Sequence, residues 1–295
     1  RCMENLYPTL ERYLKYLETK EKDGYLTFGL GDWVYWKSTT NNEYTSTAYC
    51  YLDNLLMSRF ANLLNKDASL YQQKADRLKK LINEKFFDIG TGVYAEGTQT
   101  AQALALYLGL VPAGQEQVVA NKLREIVCNN DYFLDFGLLG SKTVPAMLAK
   151  YGYIEDAMKM LTKTELPSWG YWIKKGYTTL AETWKLSPQF QDASLNHVFL
   201  GDVSAWMMNY LAGINYDDKV PGFKKIIIHP YYVKDLDWVK GEYHSIRGVI
   251  CSEWKRENGE ITISVTIPGD CTASIYADKE IHVGSGTTVY KWKEN

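Results

Sequence analysis

From Met3 to Leu17 the apolar residues recur at spacings of three and four, through Leu6, Leu10 and Leu14, the period of one helix face and not of a strand. The same spacing restarts after Asn41-Asn42, carrying Tyr44, Ala48, Tyr51, Leu55 and Leu63. It restarts again after Lys66-Asp67, through Leu78, Leu81 and Phe86. Shorter runs predict helices over about 98–110, 115–128, 137–150, 154–162 and 198–212, set apart by signals such as Val111-Pro112-Ala113-Gly114. Helical spacing stops at Asn215, where Asp217, Asp218, Pro221 and Gly222 read as a linker. Beyond it Lys225–His229, Gly248–Trp254, Ile261–Ile267, Thr272–Tyr276 and Thr288–Trp292 are short β-rich runs bounded by turns such as Asn258-Gly259 and Pro268-Gly269. The pattern therefore predicts a mainly α chain, helical over residues 1–214, with a small antiparallel β-sandwich over 215–295. Sequential helices with short connections favour a layered array or toroid. Closing a toroid takes about a dozen helices, because each inner helix must bury its flank against a neighbour. About eight are predicted, so the ring is open or incomplete in this chain.

The 33 Lys and Arg against 35 Asp and Glu give a formal net charge of −2, and no basic run stands out. Nucleic acid is thereby excluded as a partner, since phosphate contacts require clustered cations. No stretch of eighteen apolar residues occurs, so no membrane-spanning helix is expected. The five cysteines, Cys2, Cys50, Cys128, Cys251 and Cys271, are scattered, odd in number and free of C-x-x-C pairs, which argues against a zinc site and a disulfide framework. The chain begins on Arg without a signal-peptide pattern, and the expectation is a piece of a longer protein. The 23 Tyr and 9 Trp do change the picture. Such rings pack as core, and they also stack on sugar faces while donating hydrogen bonds.

The densest chemical signal is Leu166-Pro167-Ser168-Trp169-Gly170-Tyr171-Trp172-Ile173, followed by Gly176-Tyr177-Thr178-Thr179-Leu180-Ala181-Glu182-Thr183-Trp184. Pro and Gly place Trp169, Tyr171 and Trp172 on non-helical backbone, where large rings are less simply explained as one helix's buried stripe. A carboxylate framed by Trp, Tyr and hydroxyl side chains suits glycoside hydrolysis, in which one group holds and activates water beside a stacked sugar. Taken alone, a glutamate in a short helix is usually a solvated or capping residue, and its aromatic context is what raises the catalytic reading.

These blocks, together with Asn196-His197, resemble the C-terminal half of the α-L-rhamnosidases, glycoside hydrolase family 78. Gly29-Leu30-Gly31-Asp32-Trp33 resembles an earlier active-site loop of that family, and Thr98-Gln99-Thr100-Ala101 with Leu106 to Pro112 resembles its middle helices. Leu138-Leu139-Gly140, Leu211-Ala212-Gly213, Pro221-Gly222-Phe223-Lys224-Lys225 and Ile228-His229-Pro230 extend the resemblance over nearly the whole chain. It implies an (α/α)6 barrel followed by a β-sandwich, and hydrolysis of terminal α-L-rhamnose with inversion. No metal or cofactor is implied; the partners are a rhamnose-containing oligosaccharide or glycoside and the upstream part of the same enzyme. By motif position Glu182 matches the general base, Trp33 an aromatic wall of the sugar site, and His197 a histidine that hydrogen-bonds the sugar. Asp32, beside that wall, is expected to orient sugar hydroxyls or the loop of Trp33, and Trp169, Trp172 and Trp184 complete the candidate sugar-binding set.

Each has a plainer reading. Trp33 is equally a core ring, Asp32 a cap for the turn made by Gly29 and Gly31, and His197 a helix-start residue bonded to backbone. Trp169 and Trp172 read more readily as packing behind the loop of Glu182 than as direct contacts. Two departures from the family pattern stand out: Ala181 replaces a Trp before the glutamate, and no Asp-x-x-x-Arg-x-Glu-x-x-Gly-Trp segment, which carries the general acid, is present. An isolated base cannot complete an inverting reaction, so this chain alone is expected to be inactive. The alternatives are another (α/α)6 carbohydrate-active enzyme and a catalytically silent sugar-binding fragment.

Overall fold

The computed structural model describes residues 2–185 and 193–294. Contacts divide the chain into two compact units, Arg1–Leu200 and Gly201–Asn295.

The first unit is a run of helical hairpins. Helix α1 (Cys2–Glu18) leads through a two-residue hairpin, β1 (Glu21–Lys22) and β2 (Tyr25–Leu26), into α2 (Asn42–Leu63) and α3 (Ser69–Phe86). The hairpin closes on Asp23-Gly24, both at positive φ, which matches the twist of the flanking strands. A second small hairpin, β3 (Phe87–Asp88) and β4 (Val93–Tyr94), precedes α4 (Gln99–Leu108), α5 (Glu116–Asn129), α6 (Leu138–Lys150), α7 (Ile154–Leu161) and the short α8 (Trp169–Lys174). Local chemistry sets the ends. The Asn41 side chain accepts from Tyr44 N–H to start α2, Thr98 accepts from Ala101 N–H to start α4, and Gly109 ends α4 in the left-handed conformation.

Burial sorts these helices into two rows. On α4 every residue but Tyr107 is buried, α6 buries nine of its 13 residues, and α2 buries ten of its 22. By contrast α3 buries only Ala75, Leu78 and Ile82, and α5 only Val119, Ala120, Leu123 and Val127, each a single stripe. The enclosed α2 packs against α1, α3 and α4, the enclosed α4 against α5 and α6, and α6 against α7. Inner and outer helices thus alternate along the chain, in keeping with the expected layered array, with fewer helices among the described residues than closing a ring requires.

Two expectations are corrected here. The backbone of Trp169 and Trp172 is helical, because Ser168 Oγ accepts from Tyr171 N–H and opens α8. The i, i+3 spacing of the two rings then does make one buried stripe. The helix expected over 198–212 starts only at α9 (Asp202–Trp206) and finishes as a π-helical turn, Met207–Leu211.

The second unit contains that segment and two four-stranded sheets. The strands are β5 (Ile214–Tyr216), β6 (Lys225–Ile228), β7 (Trp238–Ser245), β8 (Gly248–Glu257), β9 (Glu260–Ile267), β10 (Thr272–Tyr276), β11 (Glu280–Val283) and β12 (Gly286–Lys293). Their orders are β11-β10-β6-β5 and β12-β9-β8-β7. Along β9 Ile261, Ile263, Val265 and Ile267 point into the core while Thr262, Ser264 and Thr266 alternate with them, the period-2 pattern of a half-buried strand. Ile226, Ile228, Ile250, Trp254 and Ile275 complete the core between the sheets. The Asn258-Gly259 turn joins β8 to β9 with both residues at positive φ. The sandwich is not wholly antiparallel: β6 and β10 run parallel, because β10 returns to that sheet by way of the other one. The residues read as a linker, Asp217 to Gly222, connect β5 to β6 within this unit. The contact boundary at Leu200–Gly201 places α9 with the sheets, whereas the division after residue 214 went by where helical spacing ends.

Between α1 and α2 a cavity of about 220 Å³ is lined by Tyr13, Leu17, Phe28, Tyr49, Cys50 and Asp53, among others. Burial pushes the Asp53 carboxyl up to about 6 and the Cys50 thiol up to about 11. The folded-state value for Asp53 lies above the roughly 3.9 of an unfolded chain. The cost of holding Asp53 ionised is therefore absent below about pH 4 and fully present above about pH 6. Asp53→Asn is expected to raise the urea midpoint at pH 8 and to leave it unchanged near pH 4; equal effects at the two pH values would refute that assignment.

Candidate active site

The Gly29-Leu30-Gly31-Asp32-Trp33 motif forms a strap laid over the N-terminus of α6. Asp32 is only 4% exposed. Its Oδ1 accepts from Leu139 N–H at 2.7 Å and Gly140 N–H at 3.2 Å, and its Oδ2 accepts from Gly137 N–H at 2.9 Å and the Thr100 hydroxyl at 2.5 Å. Helix α6 has no capping side chain of its own at Gly137, so a residue 105 positions earlier in sequence supplies the acceptors its first N–H groups need. Burial pushes the Asp32 carboxyl upward and the four hydrogen bonds pull it back. Its oxygens are fully engaged by protein donors, so the expectation that it orients sugar hydroxyls gives way to the other one, that it holds the loop of Trp33.

The far end of the strap is anchored by a second carboxylate. Asp135 Oδ1 accepts from Lys37 N–H at 2.8 Å and Ser38 N–H at 3.0 Å, and its Oδ2 accepts from the Ser38 hydroxyl at 2.6 Å. Midway, Leu138 N–H donates to Trp33 O at 2.9 Å. The approach is so close that a Cβ on Gly137 would stand 2.1 Å from Trp33 O, which only glycine avoids. Between these anchors Val34 sits at φ 60°, a conformation that costs a β-branched residue on the order of 1–3 kcal/mol and persists only where surrounding bonds over-determine it. The outcome is a rigid perch on which the Trp33 ring is left 45% exposed.

Glu182 lies on irregular backbone that pairs with residues 194–197. Glu182 N–H donates to Ser194 O, Ser194 N–H donates to Glu182 Oε2, both at 2.9 Å, and His197 N–H donates to Leu180 O at 2.8 Å. Among the described residues no side-chain bond engages Glu182 Oε1. Beneath this loop lies an aromatic block. Trp184 is fully buried, stacked on Trp172 at 4.9 Å between centroids and edge-on to Trp169 at 5.2 Å, with Phe136 also against it. Its indole N–H donates to Phe136 O, and that of Trp169 donates to Leu200 O. The three tryptophans are therefore core, their faces covered by one another; for Trp169 and Trp172 this is the packing role read as the readier one, and the sugar-binding assignment of all three is corrected.

A cavity of about 410 Å³ brings the two remaining features together. Its described lining is Trp33, Val34, Tyr35, Glu182, Thr183, Lys185 and Ala193. The Lys185 ammonium stands 5.6 Å from the Tyr35 ring, a cation on the aromatic wall. His197 is not part of that lining. Its Nδ1 accepts from Phe199 N–H at 3.2 Å, which leaves the neutral ring's proton on Nε2. Ala181, which stands where the family pattern has a Trp, is buried.

Asp135, Phe136, Gly137, Lys185 and Ser194 were not legible as site residues. The Asp-x-Gly turn signal just before a predicted helix was available for the first three, but nothing local to it indicates that the strap it grips lies a hundred residues upstream. No helix among the described residues is long and apolar enough to cross a membrane.

Comparison with known proteins identifies the family of the chain. The bacterial α-L-rhamnosidase six-hairpin glycosidase domain matches residues 1–211, and the bacterial α-L-rhamnosidase C-terminal domain matches 213–288. An α-L-rhamnosidase of Streptomyces avermitilis is 30% identical over 284 residues, covering 94% of this chain and 27% of that protein. One from Alteromonas sp. (strain LOR) is 28% identical over 322 residues, covering 99% and 34%. Among solved structures, the Streptomyces avermitilis α-L-rhamnosidase complexed with L-rhamnose has a TM-score of 0.92 at 26% identity, over 99% of this chain and 31% of that one. The α-L-rhamnosidase from Dictyoglumus thermophilum has a TM-score of 0.91 at 29% identity, over 99% and 37%. The chain thus spans 27% and 34% of the two curated relatives. The helical hairpins fall in the six-hairpin domain and the sandwich in the domain that follows it, and the chain belongs to the bacterial α-L-rhamnosidase family.

Proposed function

We propose that the chain is the C-terminal part of a longer inverting glycoside hydrolase that releases terminal α-L-rhamnose, and that Glu182 is its general base. One observation carries the reading: the Glu182 carboxylate and the exposed Trp33 ring line a single cavity. A pyranose resting on Trp33 presents one face to Glu182, whose Oε2 is held by Ser194 N–H while Oε1, not bonded among the described residues, is assigned to a water. Deprotonated there, that water attacks the anomeric carbon from the side opposite the leaving group. The relative complexed with L-rhamnose supports the substrate class. His197 offers Nε2–H as a sugar contact, and Asp32 acts only by fixing Trp33.

Glu182 is the one carboxylate in the described lining, and inversion needs a second about 6.5–9.5 Å away to protonate the leaving oxygen. We assign the acid to the Asp-x-x-x-Arg-x-Glu-x-x-Gly-Trp segment that the family resemblance implies and that this sequence lacks, so the chain alone is expected to turn nothing over. That same single carboxylate is what favours the second reading, a catalytically silent sugar-binding fragment. The test is to assay the longer protein on a panel of aryl glycosides, following the first-formed sugar by ¹H NMR. Hydrolysis of the α-L-rhamnoside alone, with β-L-rhamnose appearing first, is the expected result. Release of the α-anomer first removes the base role, and no hydrolysis at all favours the silent binder.

A further inference from the structure

Of the nine tryptophans, two are exposed: Trp33, on the cavity just described, and Trp238, at 63%. Trp238 opens β7, and its ring is not a frayed end. Arg256 N–H donates to Asp237 O at 2.7 Å, and the Arg256 guanidinium bonds the carbonyls of Tyr232, Val233 and Leu236 and the carboxylate of Glu294, fastening the segment that delivers Trp238. The cross-strand partner of Trp238 is Lys255, and that of Lys240 is Glu253, so all four stand on the outward face of the β12-β9-β8-β7 sheet. The next strand continues the face with Thr262 and Ser264 opposite Lys255 and Glu253. Beside the ring a depression of about 590 Å³ is lined by Asp237, Glu253, Lys255, Arg256 and Glu257.

A lone exposed aromatic is ordinary on a protein surface. Here it adjoins a concavity rimmed by fixed donors and acceptors in nearly equal number. Glu253 lies between Lys240 at 3.9 Å and Lys255 at 3.2 Å, and Arg256 is neutralised by Glu294, so neither sign of charge dominates. That balance gives no grip on a polyanion or polycation, and the polar surround gives none on an apolar helix. It does match a ligand whose hydroxyls both donate and accept and whose ring carbons offer a flat apolar face.

We propose that this face of the sandwich is a second carbohydrate-binding site, with Trp238 as the stacking platform and Asp237, Glu253 and Lys255 as hydrogen-bond partners, for a neutral oligosaccharide chain. The inference rests on the reading that the parent protein acts on carbohydrate. It adds that the polymer bearing the scissile sugar is held by the sandwich as well as by the helical unit.

The test is affinity electrophoresis of this chain in gels containing rhamnan, with a neutral soluble glucan as comparator, for wild type, Trp238→Ala, Trp238→Tyr and Trp33→Ala. Wild type is expected to be retarded by at least one polymer, Trp238→Ala to bind roughly tenfold more weakly or worse, and Trp238→Tyr to recover part of the loss. Because Trp238 lies outside the core, an unchanged urea midpoint for Trp238→Ala confirms that the loss is local. Equal retardation of wild type and Trp238→Ala, or no retardation of wild type by either polymer, overturns the proposal. Loss confined to Trp33→Ala overturns it too, while leaving the proposed function standing. Conversely, Trp238-dependent binding with no rhamnoside hydrolysis by the longer protein sinks the function and spares this site.

Discussion

Glu182→Gln in the longer protein is expected to lower kcat for an aryl α-L-rhamnoside by about 10²- to 10⁴-fold, the range a positioned general base contributes. Glutamine keeps a carbonyl oxygen to accept from Ser194 N–H, so the pairing of residues 180–182 with 194–197 survives and only the basicity is lost. KM should move little, because the Trp33 wall is untouched. Turnover within a few-fold of wild type would remove Glu182 from the base role. A large rise in KM with kcat preserved would recast it as a sugar-binding acceptor.

Asp32→Ala is the substitution with the largest expected effect on stability, about 3 kcal/mol or more, read from urea midpoints of this chain. The alanine leaves three N–H groups of the first turn of α6 and the Thr100 hydroxyl without acceptors in a buried place. It also removes a carboxylate from a helix N-terminus, where negative charge is favoured. Asp32→Asn should fall between, since its amide keeps one acceptor but turns a donor toward other donors. The same variants should impair turnover in the longer protein, because the strap that perches Trp33 loses its anchor at one end while Asp135 still holds the other. A loss below about 1 kcal/mol would show that water replaces the carboxylate and that Asp32 is no structural anchor.

Both variants separate what was legible in the sequence from what was not. Glu182 and Trp33 were read from motif position, and the cavity unites them. Trp169, Trp172 and Trp184 carry the same residue type in the same motif, and nothing in their spacing distinguishes a ring that faces solvent from one that faces Phe136. The Pro-Ser-Trp-Gly segment looked like a loop because Pro and Gly punctuate it, yet Ser168 as a cap turns the same residues into a helix start. Trp238 drew no notice at all, since its exposure follows from which face of a sheet it lands on.

The sequence by itself determined most of the helices and five of the eight strands of the second unit, β6, β8, β9, β10 and β12, because 3.6- and 2-residue periods and capping or left-handed turn residues act within a few positions of one another, while β5, β7, β11 and helix α8 were not read from it. It also carried the family, through short blocks whose residue types are specific. The tertiary structure alone decided that Asp32 serves helix α6 instead of a sugar, that Asp135 and Gly137 hold the other side of the strap, and that three of the candidate tryptophans are core. Those outcomes depend on contacts such as Asp32 with Gly137, 105 residues apart, and on which neighbour covers each ring, and no local pattern encodes either.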